Sequence, residues 1–197
     1  MTYVPDGWMV RLPMQKTSSD TSNSVYEKIT LNIEVTFRLA REDDLPKLEW
    51  MGEFTHFRRV FRQTYQDQAA GRRLMLLADL NTFPIGQVFI LLNSNFGWNG
   101  NEYGYLYSLR VMAPFQGLGI GTKLILQAER IMQERRLDYA TIAVAKDNPR
   151  ARNLYERLGY QVYSSDDGRW SYQDHKGHTV HVYEPCWMME KKLGPVG

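Results

Sequence analysis

The run Gln116-Gly117-Leu118-Gly119-Ile120-Gly121 places three glycines at alternate positions, between a strand-like segment and a long amphipathic helix. Without Cβ atoms, this stretch leaves backbone N–H groups bare where a helix N-terminus concentrates positive potential. Unpaired amides and the helix dipole both favour a bound anion, and the arrangement suits a pyrophosphate. A Rossmann loop begun at Gly117 needs glycine at 122, where Thr122 stands. A phosphate loop needs Gly-Lys-(Ser/Thr), and this chain has Gly121-Thr122-Lys123. A tight structural turn is the other use for such glycines.

A second segment, Asn148-Pro149-Arg150-Ala151-Arg152-Asn153-Leu154-Tyr155-Glu156-Arg157-Leu158-Gly159-Tyr160, carries strong helix signals. Asn148 is an N-cap, Pro149 sits at the first helical position and Gly159 just past the end. The apolar face is Ala151, Leu154, Tyr155 and Leu158.

The elements that must position these segments alternate between strand and helix patterns. Residues 1–30 read as a flexible arm, punctuated by Pro5, Gly7 and Pro13, with a polar Thr17 to Ser24 run. Val35 to Leu39 alternates like a strand, and Arg41 to Trp50 reads as a helix opened by acidic residues. Phe54, Phe57, Phe61 and Tyr65 recur at helical spacing before a stop at Gly71, as a core stripe or a substrate-facing one. Leu74 to Ala78 and Gln87 to Leu92 read as a hairpin joined through Asp79 to Pro84. After an Asn- and Gly-rich loop, Tyr103 to Val111 is a strand, and Ile120 to about Arg136 a helix. Ala140 to Ala145 is a buried-type strand, Asp174-His175-Lys176-Gly177 a hairpin turn, and Trp187 to Leu193 a closing strand. The order describes a single α/β layer structure over 31–197.

Composition narrows the function classes. The 197 residues suit one domain, with 43% hydrophobic and 23% charged residues. A net charge of +2, without a clustered excess, argues against a nucleic-acid surface. One cysteine, Cys186, precludes an intramolecular disulfide and reads as a buried small hydrophobe. His56, His175, His178 and His181 show no ligand spacing, so no metal is expected. No apolar run approaches the ~20 residues of a membrane span, and no signal peptide is evident. The expected setting is cytoplasmic.

The two segments together resemble the GNAT superfamily of acyl-CoA-dependent N-acetyltransferases. Gln116 to Thr122 is similar to its acyl-CoA loop, in which Gln or Arg precedes a Gly-x-Gly by three residues. Asn148 to Tyr160 is similar to its Asn…Ala…Leu-Tyr-Glu…Gly-(Phe/Tyr) helix. The resemblance covers roughly Val35 to Tyr163 plus the last strand. It implies a mixed, mostly antiparallel central sheet, splayed between the fourth and fifth core strands and flanked by about four helices. It also implies acetyl-CoA as co-substrate, lying in the splay. The pantetheine would bond the Leu109 and Val111 backbone; the pyrophosphate would take Gln116, Gly117, Leu118, Gly119, Ile120, Gly121 and Thr122; Asn148 would touch the cofactor as well as cap its helix.

The chemistry so implied is attack by a primary amine on the thioester, in a ternary complex. Tyr155 matches the tyrosine that protonates the departing thiolate; a phenol near pKa 10 stays protonated at neutral pH. As residues alone it also reads as a core tyrosine. For the base, some members place glutamate where this chain has Tyr105, and those acting on ribosomal-protein N-termini place one where it has Ala143. Glu102 is the nearest upstream carboxylate, a tentative base acting through water with Tyr105, or a solvated loop acid.

Three regions could line an acceptor site: the aromatic stripe from Phe54 to Tyr65, the Phe96 to Asn99 loop, and the extended hairpin of about 164–183 around Trp170 and Tyr172. Aromatic faces suit a partly apolar or cationic amine, a small molecule or a peptide; the same rings would also serve a homodimer interface. Two other functions fit the sequence: a non-catalytic acyl-CoA-binding or sensing module, and an interaction protein on the same scaffold.

Overall fold

A computed structural model describes residues 32–92 and 101–194. The expected arm and the Phe96 to Asn99 loop lie outside the described residues. From Ile33 onward the described residues form one compact unit.

The continuous apolar runs become strands buried on both faces, as a sheet covered by helices on either side requires. β1 (Thr36–Leu39), β2 (Arg73–Leu80), β3 (Phe83–Leu91) and β4 (Tyr103–Val111) form an antiparallel meander. β5 (Tyr139–Ala145) joins β4 in parallel, the one parallel pair among the described strands. The seven-stranded order is completed by β9 (Cys186–Lys192) beside β5 and β6 (Gln161–Asp166) at the edge. β7 (Arg169–Gln173) and β8 (Thr179–Tyr183) pair as a separate two-stranded ribbon.

The strand period of two sorts residues into two cores. Leu74, Leu76, Val88, Ile90 and Leu106 pack on the side covered by α2 (Ile120–Glu134). Met75, Leu77 and Phe89 pack on the other side, under α1 (Arg58–Ala69), where Phe61 is fully buried. Burying a side chain such as Phe61 contributes about 2–3 kcal/mol. α3 (Pro149–Arg157) follows β5 as expected: the Asn148 carboxamide oxygen accepts from the Ala151 N–H at 3.0 Å, and Gly159 has φ 93°.

Two expectations are corrected. Arg41 to Trp50 is not an α-helix but two short 3-10 segments, Glu42–Asp44 and Lys47–Gly52. Pro46 breaks the ladder, and Trp50 and Met51 adopt left-handed φ of 42° and 56°. The Asp44 carboxylate turns back to accept from the Arg41 N–H and from Arg38. The β2–β3 hairpin is tighter than the expected loop: Asn81 and Thr82 alone form the turn, both at positive φ, as the favoured two-residue hairpin demands.

Candidate functional site: a parted sheet with two unlike faces

β4 and β5 pair only from Tyr103–Tyr139 to Leu106–Ile142. Beyond that point β4 stays with β3 as far as Val111, and β5 stays with β9 as far as Ala145. The two strands therefore part, which is the splay expected between the fourth and fifth strands.

A bulge sits where they part. Gln87 opposes Arg110 and Phe89 opposes Tyr107, so three steps on β4 match two on β3. Ser108 absorbs the extra residue at φ 53°, and its carbonyl accepts from the buried Gln87 side chain at 3.4 Å. A bulge flips the side-chain alternation beyond it. Leu109 and Val111 consequently join the core under α2, while Arg110 swings to the side of Tyr107. Leu109, as expected, lies on the opened stretch and has no partner in the β3 register.

At the wide end of the gap the chain makes a 3-10 turn over Ala113–Phe115, then the glycine run, then α2. Gly117 and Gly119 take φ of 81° and 82°, which glycine adopts without steric penalty. A Cβ on either would meet nothing within 4 Å, so the loop faces open space. The first helical bond runs from the Lys123 N–H to the Gly119 carbonyl. Among the described residues no protein group accepts from the Gly117 to Thr122 amides, which form the cradle at the dipole's positive end. These open amides fit an acyl carrier's diphosphate.

Gln116 and Val111 make hydrogen bonds within the protein. The Gln116 N–H is already donated to Ala113 at 3.2 Å, so the open series starts at Gly117. Its side-chain amide instead donates to the Val111 carbonyl at 2.9 Å, and its oxygen accepts from Arg150 of α3 at 3.3 Å. Gln116 thus braces the mouth, linking the end of β4 to the first turn of α3, and occupies a carbonyl expected to meet pantetheine.

Tyr155 lies on α3, 5% exposed, its ring 6.1 Å from that of Tyr160. Burial alone pushes its phenol up to about 12. It remains a proton-bearing donor across the physiological range. Tyr105 is likewise pushed up to about 12, by burial first, and stacks on Tyr107 at 5.9 Å. Neither phenol is a base near neutral pH.

Glu102 is not brought to this site. It is exposed at the closed end of the β4–β5 pair, where its backbone bonds Asp138 and Tyr139. At about 3.3 Å per residue it stands roughly 20 Å along the strand from Leu109. There β4 and β5 are still paired, so Glu102 stands apart from the opened stretch.

The opposite face is made of side chains. The Arg110 guanidinium lies 4.6 Å from the Phe54 ring centre and 4.8 Å from that of Phe57. Phe57 also meets His56 at 4.2 Å and Tyr172 of β7 at 4.8 Å. Desolvation lowers the Arg110 pKa, but a guanidinium stays charged near neutrality. Beyond Tyr172 an open groove of about 680 Å³ carries Arg58, Arg59, Arg62, Arg73 and His175 among neutral residues such as Gln63 and Thr64. The aromatic stripe and the Tyr172 hairpin were both candidates in the sequence; Arg110 was not, because only the bulge at Ser108 brings it to their face. Cys186 is buried in β9 with its thiol pushed up by desolvation, in keeping with a packing role. Among the described residues no three His, Cys, Asp or Glu side chains converge as a metal site.

A mixed sheet parted between two parallel strands, with an amide cradle at its mouth, defines the architecture of a two-sided transferase fold. The acetyltransferase (GNAT) family model matches residues 39–160, and the chain belongs to that family. It is 34% identical over 83 residues to the mycothiol acetyltransferase of Acidothermus cellulolyticus, covering 42% of this chain and 24% of that protein. It is 33% identical over 76 residues to the thialysine N-epsilon-acetyltransferase of Mus musculus, covering 39% of this chain and 44% of that protein. These matches span less than half the length of either relative. Among solved structures, Arabidopsis thaliana NAA60 in complex with acetyl-CoA superposes with a TM-score of 0.63 at 17% identity, over 81% of this chain and 99% of that one. That likeness confirms the fold.

Proposed function

We propose that this chain is an N-acetyltransferase that moves an acetyl group from acetyl-CoA to a primary amine of a small molecule or peptide, by direct attack within a ternary complex. The observation that carries the reading is the coincidence of the β4–β5 parting with the open amides from Gly117 to Thr122. A thioester supplies an activated acyl group and a leaving thiolate with a pKa of about 8.5.

The chain's own residues supply binding, orientation and one proton-bearing donor. The cradle amides and the dipole of α2 hold the diphosphate, with the Thr122 hydroxyl at the end of the series. The stretch around Leu109 offers main chain along the gap, and Asn148 fixes the start of α3. Tyr155 donates a hydrogen bond to the thiolate as it departs. With its pKa near 12 it stabilises sulfur's charge by donation rather than complete proton transfer. The amine's proton leaves to solvent, because both buried phenols hold their own protons at working pH. The rate therefore rises with pH toward the pKa of the acceptor amine.

A second reading, a carrier-binding module without turnover, is favoured by the absence of Glu102 from the gap. One experiment separates them: calorimetry with acetyl-CoA, then thiol release across amines, polyamines, amino acids and peptides. Micromolar binding with amine-dependent release supports the transferase. Binding without release for every amine supports the sensing module, and no binding removes both. We further propose a cytoplasmic setting with no nucleic-acid or membrane partner, and a homodimer as the assembly to test by sedimentation.

A further inference from the structure

We propose that Arg110 selects the acceptor: the amine taken up here carries a carboxylate close to it, which the Arg110 guanidinium binds. The inference deepens the acyl-transfer reading above and rests on it for the amine. Three observations of its own support it.

The first is placement. The Ser108 bulge turns Arg110 away from the α2 core and onto the opposite face, one residue from the opened Leu109 stretch. The gap and this guanidinium are thus neighbours along one strand.

The second is an unmet hydrogen bond. Phe54 and Phe57 cover the guanidinium with their rings, which answers its charge in part. Its N–H groups point outward in the plane and need oxygen acceptors. Nη1 is sealed from solvent without one. Buried donors in folded proteins are overwhelmingly paired, so an orphan on a cation calls for an explanation. Among the described residues no carboxylate forms an ion pair with Arg110, although the charges of Glu53 and Glu184 act on it from beyond pairing distance. Arg110 as a whole is only half-buried, so a ligand carboxylate would meet its remaining N–H groups and match the cation in sign.

The third is the groove next to it. Tyr172 touches Phe57 and also lines the arginine-rich groove, so it stands between the slot and the groove. Glu49 pairs with Arg58 and Asp67 with Arg73, but Arg59 and Arg62 have no carboxylate partner among the described residues. His175 adds a second buried, unpaired nitrogen, Nδ1. Arg59, Arg62 and Arg110 thus leave unpaired positive charge on this face. The aromatic slot expected to suit a cationic amine is already filled by the protein's own cation, and an acidic group is what remains complementary.

The test compares wild-type protein with Arg110→Met, which keeps bulk and loses charge, and Arg110→Lys, which keeps charge and loses the fork. Acceptors come in matched pairs: 4-aminobutyrate against butylamine, and an amidated peptide opening Glu-Glu against one opening Gln-Gln. Coenzyme A titration is run on each variant first; equal affinity keeps the carrier side separate from the acceptor side. If wild-type protein binds no coenzyme A, the acyl-transfer reading has failed at its own step. The expected result is a preference of about tenfold or more in kcat/KM for the acidic member of at least one pair. It resides mainly in KM, is abolished in Arg110→Met and is partly retained in Arg110→Lys. The small pair discriminating points to a free amino acid as source; the peptide pair points to an acidic chain terminus. Where no probe is turned over, ligand-observed NMR of the four probes on coenzyme A-saturated protein reads the same preference. Equal treatment of acidic and neutral members, or a preference that survives Arg110→Met, overturns the proposal. Should Arg110→Met fail to fold, Arg110→Lys decides: unchanged discrimination overturns it, reduced discrimination supports it.

Discussion

The two sides of β4 are built from different parts of the chain. On the α2 side the working groups are main-chain amides from one short run, Gly117 to Thr122, presented by a helix start. On the α1 side they are side chains from three distant segments: Phe54 and Phe57, Arg110, and Tyr172. A main-chain grip depends on local backbone conformation, so it is sensitive to what stands at each glycine and tolerant of its surroundings. A side-chain slot depends on register and packing, so it changes whenever a distant element shifts. The first is suited to an invariant handle, the second to a variable one.

Substitutions can break this contrast or sharpen it. The largest effect is expected from Gly119→Val. A β-branched residue at φ 82° carries strain of order 1–3 kcal/mol and screens the neighbouring amides, although the space is open. Coenzyme A affinity should fall about 100-fold or more by calorimetry, with only a modest loss of Tm. Retained affinity would move the carrier's handle elsewhere.

Tyr155→Phe should lower kcat about 10- to 100-fold while leaving the acetyl-CoA KM nearly unchanged. It also carries a stability signature. The unfolded phenol ionises near pH 10, the folded one at about 12. The folded state holds the proton more tightly, so stability is complete below pH 10 and declines as pH rises from 10 to 12. Phenylalanine removes Tyr155's share of that alkaline decline, which urea titrations across the range measure.

Gln87→Leu addresses the hinge between the sides. It leaves the Ser108 carbonyl without its buried donor, and should lower stability by about 1–2 kcal/mol. It should weaken acceptor kcat/KM more than carrier binding, since the bulge aims Arg110. A larger loss on the carrier side would contradict the division drawn here.

Asn148→Ala removes the α3 cap bond, for about 1 kcal/mol and a few degrees of Tm. Smallest of all is Glu102→Gln: at the closed end of the sheet, it should change turnover by less than about twofold at any pH. A collapse of activity there would restore it as the base.

Local signals account for what was legible in the residues. The glycine run, the Asn148 cap with Pro149 and Gly159, and the apolar strand runs each act through neighbours in sequence. They read correctly for that reason. The Arg41 to Trp50 helix did not, because Pro46 and the backward turn of Asp44 toward Arg38 outweighed its acidic start. The candidate site divides along the same line: the open amides of the glycine run follow from local conformation, whereas Gln116 is engaged by Ala113, Val111 and Arg150.

By itself the sequence determined the layered α/β order, the amide cradle and the tyrosine helix, since glycine conformation, capping and hydrophobic period are properties of short segments. Tertiary structure alone decided which face Arg110 occupies, and which end of β4 Glu102 stands at. A single extra residue at Ser108 inverts the strand's alternation, and only pairing with β3 shows where that inversion falls.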